Sequence, residues 1–109
     1  MIPSCREAAL DLLDNLSDFL KGGTTWKIVP PPRELKAFPG TEPATRKTPV
    51  QGGGGLRKRW VDRDGGIYEW DYQHGRVERY NKRGKHIGEF DAETGEQTKP
   101  ADPDKKVEP

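Results

Sequence analysis

Cysteine is almost missing from this chain. Its 109 residues hold one, Cys5, so no internal disulfide can form and a small core has no covalent staple. Part of its stability is therefore expected from a partner or a larger parent protein. Hydrophobic residues are also few, 30% against 34% charged, with 13 glycines and 10 prolines. Such a chain builds a modest core and leaves long stretches irregular. No apolar run is long enough to span a bilayer. Asp11, Asp14 and Asp18 interrupt the N-terminal apolar positions, so these residues are not expected to act as a signal peptide. Nothing in the chain explains crossing a membrane, so export is expected to depend on machinery or domains outside it. Net charge is only +1, so no global field announces a polyanion. Two histidines and one distant cysteine show no zinc spacing, and no metal or cofactor is expected. The glycine run 52–55 lacks the lysine and helix of a phosphate-binding P-loop.

What is present is organised in two parts. Residues 4–21 read as an amphipathic helix: Ser4 and Glu7 form a capping box, Ala9, Leu12, Leu13, Leu16 and Leu20 make one apolar stripe, and Gly22-Gly23 stops it. Residues 24–55 carry little regular pattern beyond a possible short strand at 24–29, and their recurrent prolines and glycines suggest an extended linker. From Leu56 onward, β-branched and aromatic runs alternate with turn signals. Strands are expected at 57–62, 67–72, 76–80, 86–90 and near 96–99. The fold class is therefore mainly β, a twisted antiparallel meander with an N-terminal helix. The division falls at 1–45, a helix and proline-rich lead-in, and 46–109, the chemical domain.

Local charge is more telling than the total. Arg76, Arg79, Lys82, Arg83 and Lys85 stand against Glu78, while residues 88–104 carry Glu89, Asp91, Glu93, Glu96, Asp102 and Asp104 against Lys99 alone. A basic patch beside an acidic one fits phosphate contact on one face and another partner elsewhere, and equally fits ordinary solvated hairpins.

Residues 67–78, IYEWDYQHGRVE, concentrate the chemistry. With an even loop, residue 71 faces 76 and 69 faces 78. Glu69, Asp71, Arg76 and Glu78 then share one face, and Tyr68, Trp70, Tyr72 and Val77 the other, with His74 at the rim. A carboxylate, an imidazole and a second carboxylate suffice for acid–base cleavage of RNA without a metal. Glu78 would remove a proton from a 2′-hydroxyl, His74 would protonate the departing 5′-oxygen, and Asp71 would orient the imidazole. Arg57-Lys58-Arg59-Trp60 would draw a polyanion, and Tyr72 and Tyr80 offer stacking faces, whereas Trp60, Tyr68 and Trp70 suit a core. Each residue also has a plainer role: His74 as a solvated turn residue, Asp71 as a turn former, Glu78 as half of a cross-strand ion pair.

The run GGGGLRKRWVDRDGGIYEWDYQHGRVERY, followed by GKHIGEFDAETGEQTKPADP, closely resembles the cytotoxic ribonuclease domain of ribosome-inactivating colicins and cloacin. The likeness covers about residues 46–105. It implies a twisted antiparallel sheet, one cut in 16S ribosomal RNA at the decoding centre of the 30S subunit or 70S ribosome, and a tightly bound cognate immunity protein. By position, Asp71, His74 and Glu78 match the family's catalytic aspartate, histidine and glutamate, and Tyr80 a tyrosine near that site. Arg76 stands where the family has a second glutamate. The family's catalytic arginine in a DPKR segment corresponds to Lys105, or to Lys106 after a small shift; lysine delivers charge without arginine's bidentate fork. Residues 1–45 do not resemble the colicin lead-in, which suggests another vehicle, such as a contact-dependent growth-inhibition carrier of the CdiA type. The expected toxin leaves the producing cell within that carrier and acts in the cytoplasm of a competitor. The alternatives are a nuclease toxin with another substrate such as transfer RNA, and a non-catalytic RNA- or protein-binding module.

Overall fold

A computed structural model describes residues 28–109. The helix expected over residues 4–21 lies outside them, as does most of the short strand expected at 24–29. The described part is a six-stranded antiparallel sheet with strands β1 Glu42–Ala44, β2 Arg59–Val61, β3 Ile67–Asp71, β4 Arg76–Tyr80, β5 His86–Phe90 and β6 Gln97–Lys99. Spatial order equals sequence order, so every neighbour is joined by a local connection. Strands β2 to β6 fall inside the expected segments. β1 does not: the stretch expected as linker supplies an edge strand, pairing Pro43 with Trp60. Proline is tolerated there because an edge strand needs no donor on its open side.

The same device closes four successive hairpins. An Asx side chain at the end of one strand accepts backbone N–H groups, and a glycine of positive φ lets the chain return. Asp62 Oδ1 holds the N–H groups of Asp64 and Gly66, and Asn81 Oδ1 those of Arg83 and Lys85. Asp71 Oδ1 holds Gln73 and His74, and Asp91 Oδ1 holds Glu93 and Thr94. The Asp71 turn fixes the central register, with Asp71 opposite Arg76 and Glu69 opposite Glu78, as the alternation predicts.

One sheet face carries the core. Trp60, Tyr68, Trp70 and Val77 pack with Leu35 and Ala92, and Val29, Phe38 and Tyr72 close the cluster. Burying each large apolar side chain contributes about 1.5–3 kcal/mol. The lead-in covers this face: Trp70 Nε1 donates to Val29 O at 2.7 Å and Ala37 N to Ala92 O at 3.1 Å. Arg79 lies among the rings of Phe38, Tyr68 and Phe90, 4.9–5.1 Å from their centroids. Its charge is held by ring faces on the apolar side.

The opposite face is polar, yet buried. Arg59, Glu69, Glu78, Glu89 and Lys99 form one row across five strands, each opposite the next. Glu69, Glu78 and Glu89 are 0%, 2% and 4% exposed. Like charges directly opposite are destabilising, and buried ones more so, so this row needs compensating partners. The C-terminal segment supplies some of them. It runs back over the face, with Lys105 O accepting from His86 N, Gly84 O from Val107 N, and Glu108 O from Arg59 Nη1. A Cβ on Gly84 would stand 2.0 Å from Val107 O, so this return path requires glycine there.

Candidate active site

Asp71 does two jobs with two oxygens. While Oδ1 holds the turn, Oδ2 pairs with His74 Nδ1 at 2.7 Å. Burial acts to raise the Asp71 carboxyl, but hydrogen bonds from the His74 ring and from the N–H groups of His74 and Gln73 outweigh it and hold it below the ordinary carboxylate range. The imidazole is half exposed, so with Nδ1 committed its Nε2 is the nitrogen left for chemistry.

Glu78 sits two residues into β4, on the polar face. Its Oε1 meets His86 Nε2 at 2.6 Å and Lys105 Nζ at 3.3 Å. Lys105 is thus the C-terminal lysine that reaches this carboxylate; Lys106 is exposed and bridges to Lys85 through the backbone. With Oε1 occupied twice, Oε2 is the oxygen left for an incoming group.

His86, the second histidine, went unassigned in the sequence reading. A register shift between Arg79 and Tyr80 pairs Tyr80 with His86 and Arg79 with Gly88, leaving Ile87 as the extra residue. Without that bulge Ile87 would oppose Tyr80, so the bulge is what aims His86 into the polar face. The Asp102 N–H donates to its Nδ1 at 2.9 Å. A peptide N–H only donates, so Nδ1 is unprotonated and Nε2 carries the hydrogen that goes to Glu78. The tail therefore sets the tautomer of the residue that holds Glu78.

Glu89 is the other residue missed by sequence reasoning. It comes from β5, beside Glu78. Thr98 Oγ1 donates to its Oε2 at 2.6 Å, and Oε1 is buried with no hydrogen-bond partner. Lys99 Nζ lies 3.8 Å from that oxygen on an exposed side chain. Asp71, His74, Glu78, His86, Glu89 and Lys105 line one cleft, which the segment around Asp102 borders.

The expected substrate-contact residues divide. Arg57 and Tyr72 line a neighbouring cleft that shares Asp71 and is walled by Val50 and the glycines 52 and 53. Lys58 lies near them: its N–H donates to Tyr72 Oη at 3.3 Å and its ammonium stands 5.6 Å from the Trp60 ring centroid. Arg76 is half-buried at the base of the His74 turn and donates to Gly75 O. Arg59 and Tyr80 are elsewhere. Arg59 is 2% exposed and donates Nε and Nη2 to Glu69 Oε2, at 3.0 and 2.6 Å. Tyr80 is 2% exposed, with its ring edge-on to His86 at 5.2 Å between centroids. Burial first, then the Glu69 and Glu78 charges, push its phenol far above the ordinary value. Both support the site from beneath and present no stacking or phosphate-binding surface.

The class of protein is a small antiparallel β domain whose buried polar face opens into an acid–base cleft. The chain belongs to the Cytotoxic family, whose model matches residues 29–108. It is 40% identical to colicin E3 of Escherichia coli over 108 residues, covering 94% of this chain and 20% of the relative, so the likeness extends into residues 1–45, which were expected to diverge. Cloacin and colicin-E6, also of Escherichia coli, are 44% and 42% identical over 80 residues, covering 72% of this chain and 14% of each relative. The chain thus spans a fifth or less of the length of these curated relatives.

Proposed function

We propose that this domain is an endoribonuclease toxin that cuts 16S ribosomal RNA in the ribosome and so stops translation in a competing bacterium. The observation that carries the reading is that Glu78 and His74 share one cleft, each with one atom committed to a neighbour and the other left for substrate. Glu78 Oε2 takes the proton of a ribose 2′-hydroxyl. The 2′-oxygen attacks phosphorus, the bond to the 5′-oxygen breaks, and His74 Nε2–H protonates that oxygen. The products are a 2′,3′-cyclic phosphate and a free 5′-hydroxyl. Lys105 lies beside Glu78 and neutralises charge that builds on the phosphorane. Asp71 keeps Nδ1 engaged, so the protonated imidazole presents Nε2 to the leaving group.

Three functional partners follow from this reading. The ribosome is the substrate, approached over Arg57, Lys58 and Tyr72 on the rim. An immunity protein neutralises the toxin in the producing cell, and a larger carrier, of the contact-dependent growth-inhibition kind, delivers it to its target. The test is to incubate the protein with intact 70S ribosomes in a chelator and map RNA ends by primer extension. A discrete 3′ fragment of 16S RNA, lost in Glu78→Gln, is the expected result. Intact ribosomal RNA beside cut transfer RNA would replace the substrate, and no cleavage of either would overturn the enzyme.

A further inference from the structure

The orphaned oxygen of Glu89 has no role in that reaction, and its surroundings suggest one. One oxygen of Asp71, one oxygen of Glu89 and one ring nitrogen of His74 lie within 4.8 Å of one another. Both acids are buried, and Glu89 Oε1 has no hydrogen-bond partner. Among the described residues its one counter-charge is the exposed Lys99 ammonium at 3.8 Å, too far for a hydrogen bond, and a buried carboxylate oxygen without a hydrogen bond calls for a closer ligand. The charge around it points to a cation. Asp71, Glu78, Glu89 and Asp102 line the cleft against Lys99 and Lys105 alone.

We propose that Asp71, His74 and Glu89 form a binding site for a divalent cation of the zinc class. An imidazole among the donors selects against magnesium and calcium, which prefer all-oxygen shells, and favours zinc and its neighbours. Zinc holds nitrogen and oxygen donors at about 2.0–2.2 Å, so its ligand atoms sit no more than about 4 Å apart. The three side chains must therefore draw together by under about 1 Å to close on the ion. Three protein ligands leave a fourth position facing the cleft. The linear sequence hides the site because Glu89 arrives from β5, 15 residues after His74.

Occupation has a consequence that rests on the ribonuclease reading. A metal on His74 removes the imidazolium that protonates the leaving group, so zinc switches the cleft off and a chelator restores it. Zinc here is an inhibitor, with no part in the reaction.

The test separates the site from the reaction. Chelator-stripped protein is titrated with zinc by calorimetry and by ¹⁵N correlation spectra of the histidine side chains, in the wild type and in a Cys5→Ser background that removes a competing thiol. One zinc per chain is expected, with His74 ring resonances shifting and affinity at least tenfold weaker in Glu89→Gln and Glu89→Ala. Affinity unchanged in both variants, His74 resonances that do not move, or no binding would each overturn the site. Ribosome cleavage is assayed in parallel with zinc and with chelator. Glu89-dependent binding without cleavage under any condition would sink the ribonuclease reading and leave the metal site standing. Cleavage in chelator that saturating zinc does not slow would remove the switch.

Discussion

Two turns of this sheet are near copies, and only one of them borders the candidate active site. Residues 71–75 read Asp-Tyr-Gln-His-Gly and residues 91–95 read Asp-Ala-Glu-Thr-Gly. In each, Oδ1 of the aspartate accepts the N–H groups two and three residues on, and the glycine N–H returns to the aspartate carbonyl at 2.8 or 2.9 Å. Both glycines have positive φ, 66° and 81°. Both aspartates are driven upward by burial and then held below the ordinary carboxylate value by their turn hydrogen bonds. The difference lies in the fourth residue and in what stands across from it. His74 takes Asp71 Oδ2 and faces Glu78, Glu89 and Lys105. Thr94 is exposed in the neighbouring turn at the same end of the sheet, where it lines a separate cleft with Trp70, Gly75 and Arg76 and its hydroxyl accepts from Glu96 N. The turn is a rigid seat. The candidate site comes from placing a titratable ring on one seat and a buried row of carboxylates beside it.

The sharpest way to break the comparison is His74→Thr, which turns the first loop into the second. Cleavage is expected to fall about 10²–10⁴-fold, the usual worth of a positioned general acid, with the melting temperature unchanged. A variant that still cleaves at the wild-type rate would place the acid elsewhere. Next in size is His86→Ala, which removes the Nε2–H that holds Glu78. One hydrogen bond to a charged acceptor is worth about 1.5–3 kcal/mol, so kcat is expected to drop about 10–100-fold with KM little changed. A rise in KM alone would make His86 a binding residue.

A smaller effect separates charge from geometry. Folded Asp71 and Asp91 both titrate below the ordinary 3.8. Their contribution to stability is complete above that unfolded value and is lost as pH falls through the lower folded one. Melting temperature should therefore decline below about pH 4. Asp91→Asn keeps an Oδ1 acceptor but no charge, so it should flatten part of that slope without touching cleavage. Asp91→Ala loses the acceptor as well, about 1 kcal/mol or roughly 4–8 °C at neutral pH. The smallest expected effect is that of Thr94→His. A histidine on the second seat meets no Glu78, so a null result in both cleavage and melting is expected, and any gain in rate would show that the turn alone suffices.

Much of this arrangement was legible in the sequence. Period-two alternation around Gln73-His74 leads directly to the observed pairing of Asp71 with Arg76 and Glu69 with Glu78. The alternation also separates the aromatic face from the carboxylate face. What stayed hidden has identifiable causes. β1 contains a proline and mostly exposed side chains, so nothing in Glu42–Ala44 marks it as a strand. His86 and Glu89 belong to a strand whose pairing passes through a bulge, and no local pattern announces that Ile87 is skipped. Arg59 reads as a phosphate contact because basic runs are usually solvated; its burial follows from Glu69 lying opposite it on a covered face. Lys105 was expected at the site, but sequence distance concealed the tail's hold on His86, since Asp102 meets it across 16 residues.

That tail also has a consequence in time. A ribosome synthesising this chain makes Asp71, His74 and Glu78 well before it reaches Asp102 and Lys105. Until residues 102–105 have left the exit tunnel, no peptide N–H fixes the His86 tautomer and no ammonium stands beside Glu78. Under the proposed reading, a nascent chain that has emerged only as far as Glu89 carries Asp71, His74 and Glu78 without the groups that complete them.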